Sequence, residues 1–212
     1  MSGFTKAGFD GVEFFAVAIK TIRVDQRHVG VLYRTENGDL RFLHLFDEDD
    51  LQCGEPGPKL SWAEVGLDDT NRELLAELAD AIASKHAGES IGFGIGFRGE
   101  GESPFSEDGE WNRARSMTCA TFVLALFLAH GFQLVDLEKW PDRVVDRDYA
   151  RSLIREMVSP IDAELLETQL QDYRRVRPEE AAVAARGFED NLPYSFDLVG
   201  PASERLLDSL GE

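Results

Sequence analysis

One stretch of the chain, residues 116–131, restricts the possible folds more than any other, because it is apolar on nearly every side of a helical projection. A helix with no polar face must be surrounded by protein, since a surface helix keeps one polar side. The apolar run within it, residues 117–129, is interrupted by Thr118 and Thr121 and is shorter than the roughly 18–20 residues that a bilayer requires. The sequence therefore predicts a helix buried inside a globular protein.

Strand patterns supply the layer against which this helix can pack. Residues 29–34 and 40–46 are rich in β-branched, aromatic and leucine side chains, and they flank the turn sequence ENGD at 36–39. They predict a hairpin. Residues 90–97 alternate large apolar side chains with glycine, which predicts a further strand with one packing face and one face open to close approach.

The hairpin allows two registers, and they differ in where its two histidines point. A two-residue loop at 37–38 places His28 and His44 on opposite faces. A three-residue loop at 36–38, with Gly38 in the left-handed conformation, places His44 opposite Gly30 and both histidines on one face. The sequence leaves both registers open.

A second helix and a long connection complete the first part of the chain. Residues 71–86 keep helical spacing of their apolar side chains, with Asp69 or Thr70 as a cap and Gly88 as a stop. Residues 47–68 are acidic and then rich in glycine and proline, which is typical of a surface loop.

These segments predict an α+β fold in which a small antiparallel sheet packs on the buried helix. We expect a core over residues 1–141, with the hairpin and segment 90–97 in its sheet. The pattern from 142 to 212 is helical, with one helix over 160–176 and a last short helix near 202–210. This part is expected to be a helical extension packed on the core.

Composition narrows the classes of function. The 212 residues hold 22 Lys and Arg against 40 Asp and Glu, a formal net charge of −18 that disfavours nonspecific nucleic-acid binding. The two cysteines, Cys53 and Cys119, are not expected to pair, which suits a reducing compartment. Asp10 and Glu13 interrupt the run that a signal peptide needs. We therefore expect a soluble cytoplasmic protein without a membrane span.

Cys119 is the first candidate for chemistry. It falls in the first turn of the buried helix, with Ser116 or Thr118 as N-cap and Gly131 closing the far end. Free backbone amides and the helix dipole are expected to lower the pKa of its thiol and favour the nucleophilic thiolate. The alternative is that Cys119 is a packing residue, because free cysteine is among the most buried residue types.

A cysteine nucleophile needs a base, and the chain has four histidines. His86 and His130 lie at the ends of predicted helices, where a positive charge is favoured by the dipole. His28 and His44 lie on the two strands of the hairpin. In the three-residue-loop register, they would complete a Cys-His-His site, whereas a lone strand histidine is more often a hydrogen-bonded or surface residue.

Three short motifs resemble a known family. Segments 28–33 (HVGVLY), 43–45 (LHL) and 118–123 (TCATFV) look like the circularly permuted papain-like fold, broadly the NlpC/P60-like group that includes lecithin:retinol acyltransferase-like proteins. The resemblance covers roughly residues 25–130. Thr118 stands where that group frequently has Asn, and Thr121 where its acyltransferases often have His.

The resemblance implies a role for each candidate. Cys119 would be the nucleophile, His28 the general base, and His44 the residue that orients the base. The expected function is a thiol hydrolase of the amidase, peptidase or thioesterase type that forms a covalent acyl-enzyme. One alternative is a non-catalytic interaction module that binds a cationic partner such as a protein, and another is a thioester-forming acyltransferase.

Other signals are weaker. Residues 94–99 satisfy G-x-G-x-x-G, but a polar stretch follows them instead of the helix that dinucleotide binding needs. The acidic residues 47–50 lack EF-hand spacing and indicate a solvated turn. The sequence thus predicts no cofactor and no metal. Residues 98–115, directly upstream of Cys119, are a polar loop that could cover the site.

Overall fold

A computed structural model describes residues 3–6, 8–23, 26–46, 50–92, 94–157, 170, 173–187 and 192–211. The fold is α+β, with a five-stranded antiparallel sheet and five α-helices in these ranges. The strands are β1 (Phe15–Arg23), β2 (Gln26–Arg34), β3 (Leu40–Leu45), β4 (Leu51–Gly54) and β5 (Ser61–Glu64). The helices are α1 (Asp69–His86), α2 (Cys119–Ala129), α3 (Val144–Met157), α4 (Pro178–Arg186) and α5 (Phe196–Leu210), with a short 3-10 turn at Leu137–Lys139.

The sheet has the order β4-β3-β2-β1-β5, and the predicted hairpin is β2 and β3 at its centre. Val31 pairs with Leu43 and Arg34 with Leu40, which is the register of the three-residue loop. Gly38 has a φ of +82°, in the left-handed region that glycine adopts without strain. His28 and His44 therefore lie on the same face of the sheet.

Three strands are not predicted by the sequence analysis. β1 pairs with β2 on one side and with β5 on the other, and β4 extends the sheet beyond β3. The prediction that residues 47–68 form a loop is therefore wrong for β4 and β5. Each of these strands has four residues and is held by hydrogen bonds to a longer neighbouring strand. Four residues are too few to show a clear strand pattern in the local sequence. Residues 47–49 of the acidic run lie outside the described residues.

The two faces of the sheet bury different layers. One face meets α1, α2 and α4 in the main core, and its side chains are those of Phe15, Val17, Ile19, Val29, Val31, Tyr33, Leu43 and Leu45. The other face carries a smaller cluster that includes Ala16, Ala18, Leu32, Phe42 and Trp62. Alternation along β2 and β3 places His28 and His44 on this second face.

The prediction of a strand at residues 90–97 is wrong. Ser90 makes one isolated bridge with Asp50, and the described residues that follow are irregular. Their backbone pairs instead with the residues before α2, since the Gly94 amide donates to the Met117 carbonyl and the Met117 amide donates to the Gly92 carbonyl. The expected close approach does occur, because a Cβ on Gly94 would lie 2.6 Å from the Ser116 hydroxyl oxygen.

The helices agree more closely with the sequence. Residues 119–127 of α2 are all buried, as its apolar pattern predicts. Thr118 is its N-cap, and the Thr118 and Thr121 side chains each accept a hydrogen bond from the other's backbone amide. The N-cap of α1 is Asp68, one residue before the expected caps, and its carboxylate accepts a hydrogen bond from the Asn71 amide.

The C-terminal region is helical in part. Of the helix predicted over 160–176, most residues lie outside the described ranges, and 173–176 are irregular, which contradicts the prediction there. Helix α5 begins at Phe196, earlier than expected, and contains Pro201. Buried side chains of α4 and α5 belong to the same core as α2. Within the described ranges, no helix has both the length and the apolar character needed to span a membrane.

Candidate functional site

The hairpin register brings the two predicted histidines into direct contact. His28 Nε2 and His44 Nδ1 are 2.8 Å apart, within hydrogen-bond distance, and both side chains are buried. The His44 ring stacks on Phe42 with 4.4 Å between ring centroids, and the edge of Phe46 meets the His28 ring at 5.5 Å. Aromatic packing thus fixes the orientation of the pair.

Burial and a nearby cation keep the two imidazoles neutral. Lys20 is the β1 residue paired with His28, and its ammonium group lies 5.9 Å from the centres of the Phe42 and Phe46 rings. Desolvation, followed by the charges of His44 and Lys20, lowers the pKa of His28 to about 3. Desolvation and then Lys20 lower the pKa of His44 to about 4.

A neutral pair can share one proton in two ways. If His44 Nδ1 carries the shared proton, it donates to His28 Nε2. If His28 Nε2 carries it, the Nδ1 atom of His28 keeps a free lone pair and can accept a proton from another group. The second tautomer is the one that suits a general base, because only there does His28 retain a basic nitrogen outside the pair.

Cys119 begins α2 and is held against β2. The pairing of β2 with β3 ends at Val31 and Leu43, and nearer the start of β2 the Val29 backbone lies close enough to the Cys119 sulfur to act on the pKa of the thiol. The amides of Cys119 and Ala120 also act on the sulfur. The sulfur therefore lies beside the backbone of the residue that follows His28.

The expected lowering of the Cys119 pKa is wrong in its net direction. Desolvation is the largest influence and raises the pKa of the thiol above the usual value. The backbone hydrogen bonds and the charge of Arg175 act in the opposite direction, as the position at a helix start predicts, but they are outweighed. In the resting protein, Cys119 is therefore a thiol.

His28 and Cys119 line the same cavity of about 670 Å³. Among the residues that the structure describes, no hydrogen bond joins the His28 ring to the Cys119 sulfur. His44 contacts His28 but is not part of the cavity lining. The structure thus brings His28 and His44 into contact, whereas His28 and Cys119 share only the cavity. The histidine pair lies on the second face of the sheet and Cys119 in the main core on the first face, so the resting Cys119 has no imidazole partner within the described ranges.

Sequence reasoning missed the rest of the cavity wall. It comes from α3, the segment 175–179 and α5, and its charged members include Asp146, Arg175 and Arg177. The run RRVR at 174–177, in a chain with 40 acidic residues, was the signal available. Residues 98–115, expected to cover the site, do not line this cavity; Ser103, for example, donates to the Ala125 carbonyl within α2.

Neither a group of metal ligands nor a similar protein indicates what this site binds. Within the described part of the chain, no group of three or more His, Cys, Asp or Glu residues is arranged to hold a metal ion. Comparison of the chain with models of protein families, with characterised proteins and with solved structures finds no match.

Proposed function

We propose that the protein is a thiol hydrolase that acts on an amide, ester or thioester through a covalent acyl-enzyme. The observation that carries this proposal is that His28 lines the cavity that Cys119 also lines, while its Nε2 lies 2.8 Å from His44 Nδ1. A nucleophile, a base and a group that orients the base are the parts this chemistry requires.

The protonation states define how the first step would run. Cys119 starts as a thiol and His28 as a neutral imidazole, so no thiolate–imidazolium pair exists before substrate binds. As the sulfur attacks the carbonyl carbon, the thiol proton passes to His28 Nδ1, and a carbon–sulfur bond forms. The resulting imidazolium then protonates the leaving amine, alcohol or thiol as its bond to the acyl carbon breaks.

The second step returns the resting enzyme. A water molecule gives a proton to His28 Nδ1 and attacks the thioester carbon. The carbon–sulfur bond then breaks, the acid product leaves, and the Cys119 sulfur regains its proton from His28. The first-turn amides of α2, which act on the sulfur, are candidates for holding the oxyanion in both steps.

His44 is a positioning residue in this scheme. Its Nδ1 accepts the proton of His28 Nε2 and so selects the tautomer with a basic Nδ1. Burial against Phe42 limits rotation of the ring. The positive charge that His28 acquires during the reaction is then shared across the hydrogen bond with a neutral imidazole.

We further propose that the packing is of the permuted papain-like kind. Three features support it. The base precedes the nucleophile along the chain, the orienting residue lies on the strand beside the base, and the nucleophile opens a buried helix held against that sheet. All three features come from the segments that resemble that family, residues 28–33, 43–45 and 118–123.

A second candidate is an interaction module that keeps this arrangement without turnover. The observation that favours it is the raised pKa of the Cys119 thiol, since a cysteine that serves as a nucleophile usually has a lowered one. In that case, Cys119 is a packing residue of α2, and the acidic surface of the chain would bind a cationic partner.

Acylation of the sulfur separates the two candidates. We would incubate the protein with p-nitrophenyl acetate and with an acyl thioester, and locate the acyl group by mass spectrometry of peptides. The hydrolase predicts acylation of Cys119 in the wild type and in Cys53→Ala, and none in Cys119→Ala. His28→Ala should acylate far more slowly while keeping the wild-type melting temperature within a few degrees.

Each outcome has a definite meaning. Equal ester turnover by the wild type and by Cys119→Ala would remove the proposal, and absence of a Cys119 adduct would favour the interaction module. If the adduct forms and decays to acid, the protein is a hydrolase. If it decays only when an amine or alcohol acceptor is added, the protein is an acyltransferase.

A further inference from the structure

The cavity beside Cys119 carries positive charge in a chain whose formal net charge is −18. Arg175 and Arg177 line it, and both come from the segment before α4. Their guanidinium groups are partly buried, with 19% and 31% of the side chains exposed. Cationic groups that are desolvated in an acidic protein are costly unless something compensates them, so their partners are informative.

Within the ranges that the structure describes, the buried carboxylates near the cavity do not balance these arginines. Arg143 forms ion pairs with Glu180 and with Asp146, and Arg177 Nε donates to Asp146 at 3.1 Å. Three arginines, at 143, 175 and 177, thus face two carboxylates. Arg143 and Glu180 lie behind the cavity wall, whereas Arg27 and Glu179 line it and add one charge of each sign. Among the described residues of this group, one positive charge remains in excess.

Arg175 is the arginine least engaged with carboxylates. Among the described residues, its one ion-pair partner is Asp146, at 3.8 Å, and that carboxylate already accepts from Arg143 and Arg177. The Arg175 guanidinium instead lies 3.5 Å from the centre of the Tyr149 ring. Stacking of this kind fixes the plane of a guanidinium while its N–H groups stay available to an acceptor.

Arg175 is also close enough to Cys119 for its charge to act on the sulfur. An anion bound by Arg175 would therefore lie in the cavity into which a substrate acyl group must enter. One unbalanced charge matches a monoanion, and a planar guanidinium matches a carboxylate through two parallel hydrogen bonds.

We propose that Arg175 is a specificity-determining residue that selects substrates with a carboxylate near the acyl group attacked by Cys119. This inference rests on the proposed function, because it takes Cys119 as the reacting atom. The substrate class is then an amide, ester or thioester of a small dicarboxylic or amino-dicarboxylic acid, with one carboxylate free.

Alkylation with two reagents of similar size tests the selection. Iodoacetate carries a carboxylate and iodoacetamide a neutral amide, and both alkylate a cysteine sulfur. In a Cys53→Ser background, we would measure both rates at Cys119 and divide their ratio by the ratio for N-acetylcysteine. The proposal predicts that the protein favours iodoacetate about tenfold more than the free thiol does.

Substitutions of Arg175 identify the cause of the preference. Arg175→Gln should lose it, and Arg175→Lys should keep part of it, because lysine retains the charge without the planar fork. Arg113→Gln is the matched control, since it removes the same charge from a side chain that is 75% exposed and does not line the cavity. Arg175→Gln should fold, because the bonds of Asp146 to Arg143 and Arg177 remain.

Binding of an unreactive monoanion separates this inference from the proposed function. We would titrate Cys119→Ala, with and without Arg175→Gln, with monomethyl succinate by calorimetry. Binding that is lost with Arg175→Gln supports the anion site even if neither reagent labels Cys119, an outcome that would remove the hydrolase alone. Equal reagent preference with and without Arg175, or binding unaffected by its loss, overturns the inference.

Discussion

Acidification should destabilise the protein through the two site histidines. Burial and Lys20 lower their pKa from the usual 6.5 to about 3 for His28 and about 4 for His44. As the pH falls below 6.5, both imidazoles take up protons in the unfolded chain but stay neutral in the folded one. The free energy of unfolding must therefore fall with pH, starting near 6.5 and continuing until the folded-state values are reached.

The size of the effect follows from these values. At about pH 5, the unfolded chain lies roughly 1.5 pH units below the ordinary histidine pKa, which is worth about 2 kcal/mol per histidine. The folded-state groups barely titrate there. Together, the two histidines should remove about 4 kcal/mol between about pH 7.5 and about pH 5, a large part of the roughly 5–15 kcal/mol that stabilises most domains.

Urea unfolding at the two pH values measures this loss. The wild type is compared with the double variant His28→Gln, His44→Gln, so that the many carboxylates, which titrate in both proteins, cancel in the difference. The wild type should lose about 4 kcal/mol more than the double variant, and each single variant should recover about half of that.

An equal loss in the wild type and in the double variant would contradict the lowered pKa values of the two histidines. An independent measurement is the NMR titration of the imidazole carbon-bound protons in the native wild type. The proton signals of His28 and His44 should not shift between about pH 7.5 and about pH 5. A titration midpoint near 6.5 for either ring would contradict the buried neutral pair on which the base assignment depends.

Three further predictions address the backbone, the buried carboxylate and the thiol. Gly30→Ala should lower the free energy of unfolding in urea by about 1–3 kcal/mol, because the new Cβ would lie 2.6 Å from the Cβ of His44. Gly54→Ala in β4 is the control, since its Cβ would meet nothing within 4 Å and the substitution should be tolerated. Asp146→Asn should cost about 3–5 kcal/mol, because it removes the buried carboxylate that accepts from Arg143 and Arg177 and leaves the Arg177 side chain without a carboxylate partner among the described residues. Asp148→Asn, in an exposed pair, should cost under about 1 kcal/mol, and similar losses for the two variants would contradict this role of Asp146. The rate of Cys119 alkylation by iodoacetamide should still rise at pH values above the pKa of a free thiol, because burial raises the pKa of Cys119. A rate that is already constant at or below neutral pH would contradict the conclusion that Cys119 rests as a thiol.

Parts of the site that depend on short-range chemistry could be predicted from the sequence. The turn at 36–39 requires a residue at positive φ, and Gly38 provides it, so the hairpin follows from a few neighbouring residues. The start of α2 is similar, because Thr118 caps the helix through atoms three residues away. The sequence therefore identifies Cys119 in the first turn of the helix, and His28 and His44 on the strands of the hairpin, as candidate residues. It leaves open the register that brings the two histidines together.

Alternation of apolar side chains predicts strands less well in this chain. Residues 90–97 alternate as a strand does, yet their glycines serve to admit Ser116 and the backbone before α2. Conversely, β4 and β5 contain only four residues each and depend on pairing with β3 and β1. Short segments of this kind take their conformation from partners distant in sequence.

Features with local causes can be predicted from the order of residues: the buried apolar helix, its threonine cap, the glycine turn of the hairpin and the strongly acidic charge. Contacts between distant parts of the chain set the sheet order, the position of Cys119 beside the Val29 backbone, and the arginine side of the cavity. They also set the protonation of the site. A helix start favours a thiolate, but desolvation of Cys119 by packing outweighs that preference, because the cost of burying a charge depends on the whole surrounding shell.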